Sequence, residues 1–284
     1  MNPLETTFAR LQAAGITSQL SLKWQSLISQ LQGYESAAVA YSGGVDSSFL
    51  AYSTFLALNE RMAAVTIQSS VEPTGQFELA ANFARSMGFR HVEIPNQPLA
   101  DPLFRTNPVD RCYHCKTAIL HLIWDYASKN NFQVVLEGQN ADDKGDYRPG
   151  RKAVVETGTF SPLADNAITK SEIRWISKAL GLSIWDLPSS PCLASRFPYG
   201  TLITEKGLHQ IARGESFLHQ KGFKAVRVRY HNDLVRIEVM PDQVGHLVEM
   251  RDEIVAEFKQ IGFLYVALDL QGYRQGSLNE GLNL

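Results

Sequence analysis

Ala37-Ala-Val-Ala-Tyr-Ser-Gly-Gly-Val-Asp-Ser-Ser48 joins a short apolar run to a helix-like segment, and its reading decides the fold. The order is strand, tight turn, helix N-terminus. Gly43 and Gly44 lack a Cβ, so the turn can take up left-handed dihedrals and bring main-chain N–H groups close to a ligand. Ser42, Ser47 and Ser48 add hydroxyls around the same concavity. A helix starting near Asp46 presents unpaired N–H groups and the positive end of its dipole, which suit an anion of phosphate size. An ordinary strand-to-helix turn needs one glycine, and not Ser-Gly-Gly with Asp and Ser at fixed offsets.

Outward from this turn, short β-rich runs near 37–41, 62–68, 90–94 and 132–137 alternate with helical stretches near 47–59, 74–87 and 115–129. That rhythm predicts an α/β fold with a parallel sheet flanked by helices. In such sheets ligands bind beyond the carboxyl ends of the strands. The turn lies at such an end, as do Gln68-Ser-Ser70 and Glu137-Gly-Gln-Asn-Ala-Asp-Asp143, and Asp142 with Asp143 offers oxygen ligands for Mg²⁺. Leu20, Trp24, Leu27, Ile28 and Leu31 recur at helical spacing in an N-terminal helical segment, 1–35. The nucleotide-binding domain is expected over 36–200. A smaller α+β domain for substrate or oligomer contacts is expected over 201–284, with a helix at 204–220, strands at 225–230 and 234–240, a helix at 242–260 and a strand at 263–269.

Several loops carry further chemistry. Arg148 and Arg151 sit in a Pro-Gly loop and could clamp a carboxylate or phosphate. Thr169-Lys-Ser-Glu172 reads as a capping box, a structural feature. Pro191-Cys-Leu-Ala-Ser-Arg-Phe-Pro-Tyr-Gly200 is a shaped loop presenting Cys192, Ser195 and Arg196 together, and a nearby guanidinium favours a thiolate. Arg227 and Arg229 alternate onto one face of their strand, where they form either a solvated surface or a phosphate site. Of three cysteines, two form Cys112-x-x-Cys115, a spacing of metal or redox chemistry and not of a secreted disulfide framework.

Composition narrows the classes. With 284 residues and 44% hydrophobic content the chain can bury a sizeable core. Lys+Arg 27 against Asp+Glu 29 leaves a charge of -2, without the global basic field that gathers nucleic acid. No apolar run approaches the ~20 residues of a membrane helix, and MNPLETTFAR lacks signal-peptide character. A cytoplasmic protein is the expectation.

The SGGVDS stretch resembles the SGGxDS loop of the PP-loop ATP pyrophosphatases; no lysine follows its glycines, as a Walker-type loop requires. Together with RCYHCK, EGQNADD, DYRPG, PCLASRFPYG and RVRYHNDLVRIEV it is similar, over nearly the whole chain, to the LarE-type ATP-dependent sulfur transferases. The resemblance implies that ATP adenylates a carboxylate of pyridinium-3,5-biscarboxylic acid mononucleotide, which becomes a thiocarboxylate on the way to the nickel-pincer nucleotide cofactor. It implies ATP contacts from Ser42, Gly43, Gly44, Asp46, Ser47 and Gln68, sulfur handling by Cys192 beside Ser195 and Arg196, and substrate-phosphate contacts from Arg227, Arg229 and Arg274. Members that sacrifice the loop cysteine lack the Cys-x-x-Cys. This chain has both, resembling three-cysteine members that hold a [4Fe–4S] cluster on residues matching Cys112, Cys115 and Cys192, with one iron open. The same residues could hold structural zinc with a histidine such as His114. The family also implies a homotrimer or hexamer and a sulfur donor that the sequence does not name. A PP-loop tRNA thiolase, or a nucleotide-binding sensor with structural cysteines, are the alternatives.

Overall fold

The computed structural model describes residues 3–145, 150–274 and 276–280. Elements follow in the order α1 (Pro3–Ala13), α2 (Ser18–Gln32), β1 (Ala37–Ala40), α3 (Val45–Leu58), β2 (Met62–Gln68), α4 (Gln76–Met87), β3 (His91–Pro95), α5 (Pro102–Arg105), α6 (Arg111–Lys129) and β4 (Val134–Leu136). After these come α7 (Gly150–Glu156), α8 (Pro162–Asp165), α9 (Lys170–Ala179), α10 (Glu205–Gln220), β5 (Val226–His231), β6 (Leu234–Val239), α11 (Val244–Glu249), α12 (Arg251–Ile261) and β7 (Tyr265–Leu268). The chain divides into two compact units. One comprises 1–68, 75–96 and 112–190, the other 69–74, 97–111 and 191–284.

The first unit holds the parallel sheet that the βαβ rhythm predicts, in the order β3-β2-β1-β4. The strands β2, β1 and β4 are mostly apolar and buried because both of their faces are covered, whereas the edge strand β3 carries His91 and an exposed Glu93. Ala37 and Val39 point to one side, where they meet Trp24, Leu27, Leu31, Phe49 and Ile173. Ala38, Val65 and Val135 point to the other, against Ile123 and Ala127 of α6. All five residues of the α2 stripe are buried, and the Trp24 ring lies 5.5 Å from that of Phe49. After β3 the order turns back across β1 to β4, so the loops after β1 and β4 flank the switch point, where α/β sheets take their ligands.

The Cys112-x-x-Cys115 motif, expected in a turn before a helix beginning at 115, instead occupies the first turn of α6. The helix starts earlier because Asn107, at φ 56, turns the chain and the Arg111 N–H bonds the Pro108 carbonyl. The two cysteines are therefore one helical turn apart on one face.

In the second unit β5 and β6 form an antiparallel hairpin through Asn232, at φ 58, and β7 pairs with β6 in parallel. The helix expected over 242–260 is split at Met250 into α11 and α12. Asp252 and Glu253 lie in the first turn of α12, where carboxylates favour a new helix start. Among the described residues no helix is long and apolar enough to cross a membrane.

A measurable electrostatic tie joins α2 to α9. Lys23 donates to Glu172 at 2.8 Å, and Glu172 closes the predicted capping box with Thr169. Burial pushes the Glu172 pKa up, but the Lys23 and Thr169 hydrogen bonds outweigh it and leave the group below its ordinary 4.5. A depressed carboxyl pKa stabilises the fold above the unfolded value, and that stability is lost as pH falls through the folded one. Denaturation of the Lys23→Met variant should therefore differ from wild type at neutral pH, and the difference should shrink below pH 4.5.

Candidate active site

The turn after β1 is built as an anion cradle. Gly43 takes φ +74, and a Cβ there would stand 2.8 Å from the Ala80 Cβ, so glycine is required on both counts. Gly44 is the N-cap of α3 and supplies no side-chain cap, which leaves the first N–H groups of a 14-residue helix facing the turn. The Ser47 hydroxyl ties the loop together: it lies 3.1 Å from the Ser42 hydroxyl, accepts the Ser42 N–H and donates to the Gly44 carbonyl. From α4, Gln76 donates to the Ser42 carbonyl at 2.8 Å.

The loop after β4 closes on this cradle. A Cβ on Gly138 would fall 2.9 Å from the Ser47 nitrogen and 3.0 Å from its Cα, so two main chains pass in contact. Beyond Gly138 the loop is locked by its own groups: the Asn140 N–H donates to Asp143 at 3.1 Å, and the Asp142 N–H to Asn140 at 2.9 Å. Asp142 also accepts the Lys170 main-chain N–H at 2.8 Å, and the Lys170 ammonium bonds Asp46. Asp46, Asp142 and Asp143 thus gather around the cradle with one lysine among them. Burial raises the Asp46 pKa, Lys170 opposes that by charge and hydrogen bond, and the neighbouring Asp143 adds to the rise. The Asp46 Oδ1 is buried without a hydrogen-bond partner among the described residues. A carboxylate beside a phosphate cradle is repulsive unless a cation stands between them, and this orphan oxygen fits Mg²⁺. Gln68 lies exposed at the end of β2, with its main-chain carbonyl bonded to the Asn96 N–H.

Lys170 was not among the sequence candidates. Its only local signal was the capping box, in which it is the first helical residue. Lys116 and Glu137 were missed likewise: they pair at 3.0 Å, and Glu137, almost fully buried, also accepts the Ser161 hydroxyl and the Gln139 N–H. Cys112 is exposed and Cys115 partly buried in this same unit. Arg151 is exposed in the first turn of α7, whereas Arg148 lies outside the described residues.

The second unit carries Cys192, partly buried at the start of a short turn, Leu193–Arg196. The Ser195 hydroxyl donates to the Cys192 carbonyl at 2.8 Å. Arg196 is buried and forks onto Glu215 with two 2.8 Å bonds. Arg229 is buried and forks onto Glu238 at 2.8 and 2.9 Å. Arg227 differs: it stands 4.9 Å over the Tyr273 ring and makes no ion pair among the described residues. Burial and the nearby Arg196 charge lower its pKa, so an added anion would be welcome there. Arg274 spends its fork on Glu280, with two 3.0 Å bonds. None of the three cysteines forms a disulfide, and no group of three or more His, Cys, Asp or Glu side chains is assembled for a metal ion among the described residues.

The asparagine synthase family matches residues 24–178, the part of the chain that bears the cradle. An uncharacterized protein of Synechocystis sp. is 41% identical over 248 residues, 87% of this chain and 92% of its own. The pyridinium-3,5-bisthiocarboxylic acid mononucleotide synthase of Lactiplantibacillus plantarum is 33% identical over 264 residues, 93% of this chain and 96% of its own. An uncharacterized protein of Methanocaldococcus jannaschii is 30% identical over 240 residues, 83% of this chain and 90% of its own. On a PP-loop domain of asparagine synthase type, with similarity running on through the arginine-rich second unit, the chain belongs to the LarE family of ATP-using, AMP-forming sulfur transferases.

Proposed function

We propose that this chain adenylates a carboxylate of pyridinium-3,5-biscarboxylic acid mononucleotide and converts it to a thiocarboxylate for nickel-pincer cofactor biosynthesis. The observation that carries the reading is the uncapped α3 N-terminus with Asp46, Asp142, Asp143 and Lys170 gathered around it. A carboxylate is a poor acyl donor because its oxygen leaves badly. Attack of that oxygen on the α-phosphorus of ATP expels pyrophosphate and makes AMP the leaving group. A sulfur nucleophile then adds to the acyl carbon, and AMP departs with the original oxygen. The roles follow from charge and position. Ser42, Gly43, Gly44 and Ser47 bind the phosphates, Gln68 contributes from the end of β2, and the three carboxylates would hold Mg²⁺.

Cys192 handles sulfur, with Ser195 and Arg196 shaping its loop, while the arginine face of β5 with Arg274 receives the substrate's phosphate. Cys112 and Cys115 sit one turn apart as two thiolate ligands, and with Cys192 they would hold a [4Fe–4S] cluster. Such a cluster, when bound, supplies an open iron position at which sulfide can be carried. The enzyme works in the cytoplasm as a homo-oligomer and draws sulfur from a separate donor.

Anaerobic incubation with ATP, Mg²⁺, sulfide and the mononucleotide tests the reading. AMP, pyrophosphate and thiocarboxylate should appear together, the last more than once per chain. ATP binding without AMP formation would sink it. Iron and sulfide content should fall on substitution of any one of the three cysteines.

A further inference from the structure

The two arginines of β5 alternate onto one strand face, yet their hydrogen bonding separates them. A guanidinium has five N–H donors. Four hydrogen bonds already leave Arg229: two to Glu238, one at 2.9 Å to the Ser195 carbonyl and one at 2.7 Å to the Ser277 hydroxyl. Little remains for a phosphate. Arg227 gives one bond to the Val226 carbonyl and a long one, 3.4 Å, to the Tyr273 hydroxyl. Among the described residues most of its fork is uncommitted.

The Ser195 carbonyl is one of a set. Arg196 donates to the carbonyls of Pro191 at 2.8 Å and Cys192 at 3.1 Å, Arg111 to that of Ala194 at 3.0 Å, and Arg229 to that of Ser195. Three buried guanidiniums therefore hold four main-chain carbonyls of the six residues Pro191 to Arg196. A short, proline-bounded loop has few bonds of its own to fix it, and charge-assisted donors with fixed planar geometry supply that rigidity. Glu215 and Glu238 in turn fix Arg196 and Arg229.

We infer that Arg229 is a positioning residue for the Cys192 loop, and that Arg227 is the member of the pair left to take an anionic group of the substrate. This rests on the function proposed above. The distinction is chemical: a positioning fork cannot be replaced by a lysine, whose single ammonium cannot span Glu238 and the Ser195 carbonyl, whereas a charge that attracts phosphate largely can.

Steady-state kinetics with the mononucleotide varied will separate the roles. Arg229→Lys keeps a cation beside the buried Glu238, and it should lower kcat about 10-fold or more with KM within about 2-fold. Arg227→Gln should raise KM about 10-fold or more with kcat nearly kept. If Arg229→Lys instead raises KM and spares kcat, Arg229 is a substrate ligand and the inference is overturned. If Arg227→Gln leaves KM unchanged while Arg229→Lys lowers kcat, the phosphate reading of this face fails and the positioning of Cys192 stands. Amide exchange in the wild type covers a variant that does not fold. Mononucleotide binding should leave residues 193–196 as protected as before or more so, and faster exchange there would mean that Arg229 abandons the Ser195 carbonyl for the substrate.

Discussion

Asp46→Asn is expected to abolish conversion of ATP to AMP and pyrophosphate, by about 10²-fold to 10³-fold, while the protein still folds. The carboxylate lies in the first turn of α3, beside N–H groups that would hold phosphate. Placed there without a cation it would repel the nucleotide, so its contribution depends on what neutralises it. Without nucleotide that cation is Lys170. Asp46 would be one of the residues to hold Mg²⁺, and with its charge met by the metal the Lys170 ammonium would be left for the phosphates. Lys170→Met should therefore also slow pyrophosphate release, by about 10²-fold. Direct Mn²⁺ titration without nucleotide should move the other way and bind more tightly, since three carboxylates would then face the ion without a competing cation. Pyrophosphate release by Asp46→Asn above a tenth of the wild-type rate would remove Asp46 from the mechanism.

The second large effect concerns a residue with no functional group. Gly138→Ala should cost about 1–3 kcal/mol of stability and slow ATP cleavage about 100-fold, because the added methyl meets main chain at Ser47 and not a side chain that could swing away. Gly138 is not in the left-handed region, so alanine meets no dihedral penalty and the effect is one of contact. Gly158→Ala is the matched control. It has φ +66 and open space around the new Cβ, so it should lose about 1 kcal/mol through strain and keep its activity. Thermal melts and pyrophosphate release measured on both variants will distinguish contact from strain. Equal activity loss in the two would refute the account.

Much of this molecule was legible in its sequence because local chemistry decides it. A strand, two glycines and an uncapped helix start lie within a dozen residues, and the conformation each requires follows from its own Cβ, hydroxyl or N–H. The βαβ rhythm follows for a similar reason: a strand covered on both faces must be apolar throughout, and a covering helix apolar on one stripe. The Thr169–Glu172 capping box is also local, and it was read as structure. It also carries a long-range contact, since one of the two residues between its cap and its acid is Lys170, whose partner Asp46 lies 124 positions away.

The tertiary structure alone decided how the charges are shared. Lys116 with Glu137, Gly138 with Ser47 and Lys170 with Asp46 meet only because the sheet order returns from β3 across β1 to β4. Arg227 and Arg229 give the same signal in sequence, two guanidiniums on one strand face. Glu238 stands directly across from Arg227 in the ladder, yet it reaches diagonally to Arg229 and leaves its opposite number without an ion pair among the described residues. A local pattern sets which face a side chain takes, because that depends on neighbours in the chain. Which opposite charge it then pairs with is a competition among groups brought together by folding, and this settled which of two like residues became structural and which stayed available to a ligand.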